Sequence, residues 1–320
     1  MYKKNFYIGQ KILFIMLFSN DLKSQKDKNN TKNEQRINPK YVTTKFGNDE
    51  CISLILGYYG YEVILVTNYE EAINELCKKN QDNKCIYNSL WVVSGKEIPD
   101  IPSNNGDSNA PYYVEQFVDC AIKFWKNGGS LVLLGEKDPY NFQVNLFLKK
   151  LVFPDGKKSS FKIGGNHKGG KILYGDDSGK LTRNQTFNTK IQEVNNIERK
   201  SLANNLVRIF EGENMAYTIG DVSPFIPFSK DSEGGINSLF YCGLDMGDGK
   251  GEGDIVIDCG YNKFFLYNDK CGVARYLQNI GGFIGSPKRR ANSGFNPALF
   301  RPEGVDFNFY KSSKFFYKYP

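Results

Sequence analysis

Two carboxylates, Glu136 and Asp138, stand in the short stretch Gly135-Glu136-Lys137-Asp138-Pro139, directly after the apolar run Ser130–Leu134. In an open α/β sheet, ligands collect in the crevice outside the carboxyl ends of the strands. A pair of carboxyl groups there can divide general-acid and general-base work, provided the surroundings raise the pKa of one of them. Tyr140, Asn141 and Asn145 follow closely and carry hydrogen-bonding groups that could line such a crevice. Ser94, Lys96 and Glu97 sit at the end of a neighbouring apolar run, and Asp258 at the end of a late one. The same residue types cap helices and solvate loops, so position in the sequence leaves both roles open.

Other candidates fail on chemistry. The stretch GNHKGGK at 165–171 satisfies G-x-x-x-x-G-K, but Ile172 replaces the hydroxyl residue that would hold magnesium. A strand pattern follows it instead of the helix whose N-terminus cradles phosphates, so the segment reads as a glycine turn feeding a strand at Lys171–Tyr174. His167, the only histidine, lies in that turn and is expected to be exposed. A lone histidine needs thiolates or carboxylates beside it to hold zinc, and no spacing supplies them, so neither a metal nor a cofactor is expected. The acidic residues Asp245, Asp248, Glu252 and Asp254 lack the spacing of a calcium hand and read as a solvated hairpin loop.

The elements that would position the carboxylates are regular. Phe117, Cys120, Ala121, Phe124 and Trp125 recur at helical spacing, Gly128-Gly129 ends that helix, Ser130–Leu134 is a strand covered on both faces, and a second helix ends near Leu151. Upstream, Tyr61–Val66 and Tyr87–Ser94 read as strands, and Asn68 is placed to cap a helix running to about Lys79 with Ala72, Ile73 and Leu76 inward. A short helix is expected from Asn48 to Gly57. Downstream, a helix is expected over Ile197–Ile209 and a strand near Met215–Ile219. Strands Ser238–Leu244 and Asp254–Cys259 are joined by a Gly-rich loop, and a helix over Gly272–Ile284 turns Val273, Tyr276, Leu277 and Ile280 inward. Short right-handed connections make this an α/β fold, a three-layer flavodoxin-like or Rossmann-like sandwich with a mostly parallel sheet and an antiparallel edge.

Composition bounds the function. A net charge of +7 over 320 residues is far from the dense basic footprint of a dedicated nucleic-acid binder. Seven cysteines without a CxxC pair argue against a disulfide framework and favour an intracellular setting. Ile12–Phe18 is too short to span a bilayer; it reads as the first, central strand, in preference to the core of a signal peptide. Four regions follow. Residues 1–22 hold that strand or signal-like segment, 23–46 form a flexible basic loop, 47–290 the α/β domain, and 291–320 an aromatic and basic tail. The tail has no periodicity for a core of its own, and Phe307, Phe309, Tyr310, Phe315, Phe316 and Tyr317 are expected to dock on a protein partner.

Three stretches carry a resemblance. YNSLWVVSGKEI, FVDCAIKFWKNGGSLVLLGEKDPY and DIVIDCGYNKFFLYNDKCGVARYLQNIGGFI occur in the element order of the class I glutamine amidotransferase-like superfamily, over about residues 48–285. The last is similar to non-catalytic relatives that include the amidotransferase-like domain of intraflagellar-transport proteins. A catalytic member carries Cys in a G-x-C-x-G elbow and a His-x-Glu pair after a late strand. Here the elbow holds no Cys, Ser or Thr, and His167 precedes that strand, so the resemblance implies no glutaminase activity. The expectation is a non-catalytic interaction or structural subunit of a larger assembly. The alternative is a hydrolase or small-molecule binding protein that uses Glu136 and Asp138 at the strand ends.

Overall fold

The computed structural model describes residues 11–16, 61–66, 68–81, 85–95, 110–170, 172–175, 181–182, 202, 208–211, 214–243, 252–266 and 273–284. The loop at 23–46, the helix expected from Asn48, Lys96 and Glu97, and the tail at 291–320 lie outside these residues.

The fold is built on strand β1 (Lys11–Met16), which lies between β2 (Glu62–Val66) and β3 (Ser89–Val93) and is parallel to both. β3 pairs with β4 (Ser130–Leu134), and β4 with β12 (Ile255–Asp258), again in parallel. These strands read as unbroken apolar runs because both faces are covered. Alternate residues part to the two sides. Ile12, Phe14, Trp91, Val93, Val132, Leu134 and Val256 enter one core. Leu13, Ile15, Leu90, Val92, Leu131, Leu133, Ile255 and Ile257 enter the other. Helices α1 (Tyr69–Leu76), α2 (Ala110–Lys126) and α3 (Phe142–Lys150) pack on the second face; α5 (Val273–Ile284) packs on the first, with Val273, Tyr276, Leu277 and Ile280 buried.

The helix ends follow from local chemistry. Asn68 accepts the Glu71 N–H at 2.8 Å and starts α1. Asn68→Ala is expected to cost about 1 kcal/mol, read as a lower denaturant midpoint. At the end of α2 the N–H of Gly128 bonds to the Trp125 carbonyl at 2.9 Å and that of Gly129 to the Phe124 carbonyl at 3.1 Å. Gly128 takes φ of 93°, the left-handed turn that this closure needs.

Beyond β12 the sheet becomes antiparallel. β11 (Ile236–Tyr241) pairs antiparallel with β12 and with β10 (Ile226–Lys230), as expected of an antiparallel edge; β10 then pairs in parallel with β7 (Leu181–Thr182), and β6 (Ile172–Gly175) joins β7 and β8 (Arg208–Phe210) antiparallel. β10 was not foreseen, nor was the short helix α4 (Asn262–Leu266).

Three expectations are corrected. The helix over Ile197–Ile209 does not reach its predicted end, because Arg208–Phe210 pairs with β6 as strand β8. Residues 162–168 are a strand, β5 (Lys162–Lys168), and not the opening of a glycine turn. They pair antiparallel with β9 (Asn214–Ile219), and the irregular register between Gly164 and His167 is taken up by Gly165 at φ of 67°. Asp254 is buried and accepts the Gly243 N–H at 3.0 Å, so it is no part of a solvated loop. Among the described residues no helix is long and apolar enough to cross a membrane.

Candidate functional site

The parallel strands end in register: Met16 faces Val93, Val93 faces Leu134, and Leu134 faces Asp258. The chain that leaves them is stitched together by backbone bonds. Ser94 N–H donates to Leu134, Gly135 to Asp258 and Tyr261 to Gly135, at 2.8, 2.8 and 3.2 Å. Two polar clusters close this edge, one on each face of the sheet.

The first cluster sits over the core covered by α4 and α5. Asp258, the last residue of β12, is fully buried, and its Oδ1 accepts from Lys263 Nζ at 2.7 Å and from the Gly260 N–H at 2.9 Å. Lys263 comes from α4, five residues on, and its side chain is 3% exposed. Its ammonium lies 5.2 Å from the Phe264 ring centre and 5.6 Å from that of Tyr276. The Tyr276 hydroxyl lies beside Asp258 and Ser238, and burial pushes it well up.

Glu136 is buried next to this ion pair. Its carboxyl takes the Lys137 N–H at 3.2 Å and the Asn262 N–H at 3.4 Å. Burial pushes its pKa up to about 8; those two N–H groups and the Lys263 charge offset part of the shift, and Asp258 adds to it. Tyr261, buried beside Glu136 and Tyr140, is also raised, first by desolvation. Burial has the same effect on the Cys259 thiol.

The second cluster is centred on Gln143, in the first turn of α3. Its Oε1 accepts from the Ser94 hydroxyl at 2.9 Å and the Gly95 N–H at 2.8 Å, its own N–H donates to Ser94 Oγ at 3.1 Å, and its Nε2 donates to the Tyr69 hydroxyl at 2.8 Å. Burial pushes the Tyr69 phenol up to about 12. These bonds saturate the end of β3 from within.

Of the residues singled out in the sequence, Glu136 and Asp258 are brought together. Asp138 is exposed whereas Glu136 is buried, so the two carboxyl groups expected as a pair do not share one enclosed pocket. The elbow is a turn, closed by the Tyr140 N–H on the Lys137 carbonyl at 2.8 Å, and the side-chain alternation of a strand does not extend through it. Asn145 accepts the Ile163 N–H at 2.7 Å, and both Asn145 and Asn141 donate to the Ile163 carbonyl, at 2.9 and 3.2 Å. The two asparagines therefore act as a strand partner for β5 and do not face a crevice. Tyr140 packs partly buried against the first core. Sequence reasoning missed Lys263 and Gln143; a lysine directly before the apolar run Phe264–Leu266 was the one available signal for the first.

No protein-family model matches this chain, and no curated protein matches it in sequence. Among solved structures it is similar to the mmIFT52 N-terminal domain, with 10% identity and a TM-score of 0.41 over 86% of this chain and 97% of that one. It is also similar to Cytoplasmic Protein STM3548 from Salmonella typhimurium, with 12% identity and a TM-score of 0.41 over 86% of this chain and 98% of the other.

Proposed function

We propose that this chain is a non-catalytic α/β domain of the amidotransferase-like kind, serving as an interaction or structural subunit of a larger protein assembly. The observation that carries the reading is the closure of the strand ends. Ser94, Gln143 and Tyr69 bond to one another, as do Asp258, Lys263 and Gly260, where an enzyme of this architecture would leave groups facing substrate. The elbow adds to it: Lys137 stands at the centre of Gly135–Pro139, where a G-x-C-x-G elbow has its nucleophile. The aromatic residues Phe307, Phe309, Tyr310, Phe315, Phe316 and Tyr317, with the basic stretch 23–46, are the contact arms in this reading.

Native mass spectrometry of the tagged protein purified from its source, at low and high salt, tests this. The expected result is a fixed, salt-resistant stoichiometry with a partner protein, lost on deleting residues 291–320. A monomer at both salt concentrations overturns it. One observation favours a second reading as hydrolase or small-molecule binder: Glu136, with its pKa raised to about 8, holds a proton at neutral pH beside the Lys263 charge, as a general acid does.

A further inference from the structure

The fold gives His167 surroundings that its sequence neighbours do not. Asp231, at the turn between β10 and β11, is buried, and its Oδ1 accepts the N–H groups of Glu233 at 2.9 Å and Gly235 at 2.8 Å. Its Oδ2 lies 2.8 Å from His167 Nδ1. A carboxylate only accepts, so the proton of this bond belongs to Nδ1, and the neutral ring then has its lone pair on Nε2. The imidazole is also stacked on Tyr217 of β9, with ring centres 4.2 Å apart and planes 23° apart. Position, tautomer and tilt of the ring are thus all fixed. His167 is half-buried in a strand, and not exposed in a turn as its sequence suggested.

We infer that His167 Nε2 and the Glu233 carboxylate form a two-ligand site for a divalent transition-metal ion, with its remaining positions filled by water. Nε2 stands 3.9 Å from Glu233 Oε2, too long for a hydrogen bond. Two donors bound at about 2.1 Å to one tetrahedral ion stand about 3.4 Å apart, so a shift of about half an ångström closes the site. Glu233 is 45% exposed and His167 23%, which lets an ion enter and lets the glutamate make that shift. A carboxylate holding the far nitrogen of a ligating histidine is the usual outer support of such sites, and Asp231 fills that place. Imidazole with carboxylate suits zinc, nickel or copper better than calcium or magnesium. Among the described residues no third ligating side chain joins these two.

Because His167 is the only histidine, protein labelled with ¹⁵N in histidine gives one pair of ring-nitrogen signals. On titration with Zn²⁺ the expected result is a saturable shift of Nε2 at one equivalent while Nδ1 keeps its proton. Glu233→Gln, at an exposed position, is expected to weaken the titration about 10-fold or more with the fold intact. Ring signals that do not move through millimolar Zn²⁺ overturn the site, including the case where cysteines alone take up the metal. An unchanged titration in Glu233→Gln overturns the two-ligand assignment.

Discussion

Glu136→Gln is expected to stabilise the fold by about 4 kcal/mol near pH 8.5, by about 2 kcal/mol near pH 6 and by almost nothing near pH 4.5. The sign follows from burial, which lifts the Glu136 pKa from 4.5 to about 8. Between those values the folded protein holds a proton that the unfolded chain has released, so stability falls as pH rises through the window and levels off above it. Gln has nearly the same shape and never has to ionise; its single oxygen can keep the closer N–H, from Lys137 at 3.2 Å, and gives up the long contact with Asn262 at 3.4 Å. Urea unfolding of both proteins across this range tests the point, because titrations elsewhere cancel in the difference. Parallel curves would mean that Glu136 ionises in the fold as readily as in the unfolded chain. The same variant separates the two functional readings: a structural subunit keeps its partner, whereas a carboxylate-dependent hydrolase loses turnover.

Lys263→Met is expected to have a comparable effect of opposite sign, a loss of about 3–5 kcal/mol. The methionine fills the space of the lysine stem against Phe264 and Tyr276, so packing is largely kept. What is lost is the one ammonium bonded to Asp258, whose side chain is fully buried. Only neutral groups, the Gly260 N–H and the nearby Tyr276 hydroxyl, then remain beside it among the described residues, and these do not replace a full opposite charge for a buried carboxylate. Adding Asp258→Asn to Lys263→Met is expected to recover most of the loss, since the pair then vanishes together. Denaturant midpoints of the two single variants and the double variant form the cycle; additive losses would show that the two groups are not coupled.

Much of the fold was legible because its central elements follow local rules. α2 and α5 have apolar stripes, β3 and β4 are short apolar runs between turn residues, and Asn68 caps α1 from where it was placed. β5 escaped notice because glycines and lysines give it no strand pattern; pairing with β9, about fifty residues on, imposes it. The end of the expected helix at Ile209 gave way for the same reason, since β6 holds Arg208–Phe210 in a sheet. At the candidate site, strand ends identified Glu136 and Asp258, but nothing local tells that Asp258 finds its cation across the turn into α4. Nor does the sequence show Gln143 reaching back to Ser94, 49 residues earlier.

The central place of β1 has a consequence for synthesis. Its two sheet neighbours, β2 and β3, lie about 50 and 77 residues further along the chain. At about 5–20 residues per second, the ribosome delivers the second neighbour about 4–15 s after the first strand. Until β2 is made, about 3–10 s after it, Ile12–Ile15 has no edge partner among the described strands, a wait long enough for chaperones to bind and for strands of neighbouring nascent chains to pair with it. The segment that seeds the finished sheet is therefore the one most in need of protection while the chain is being made.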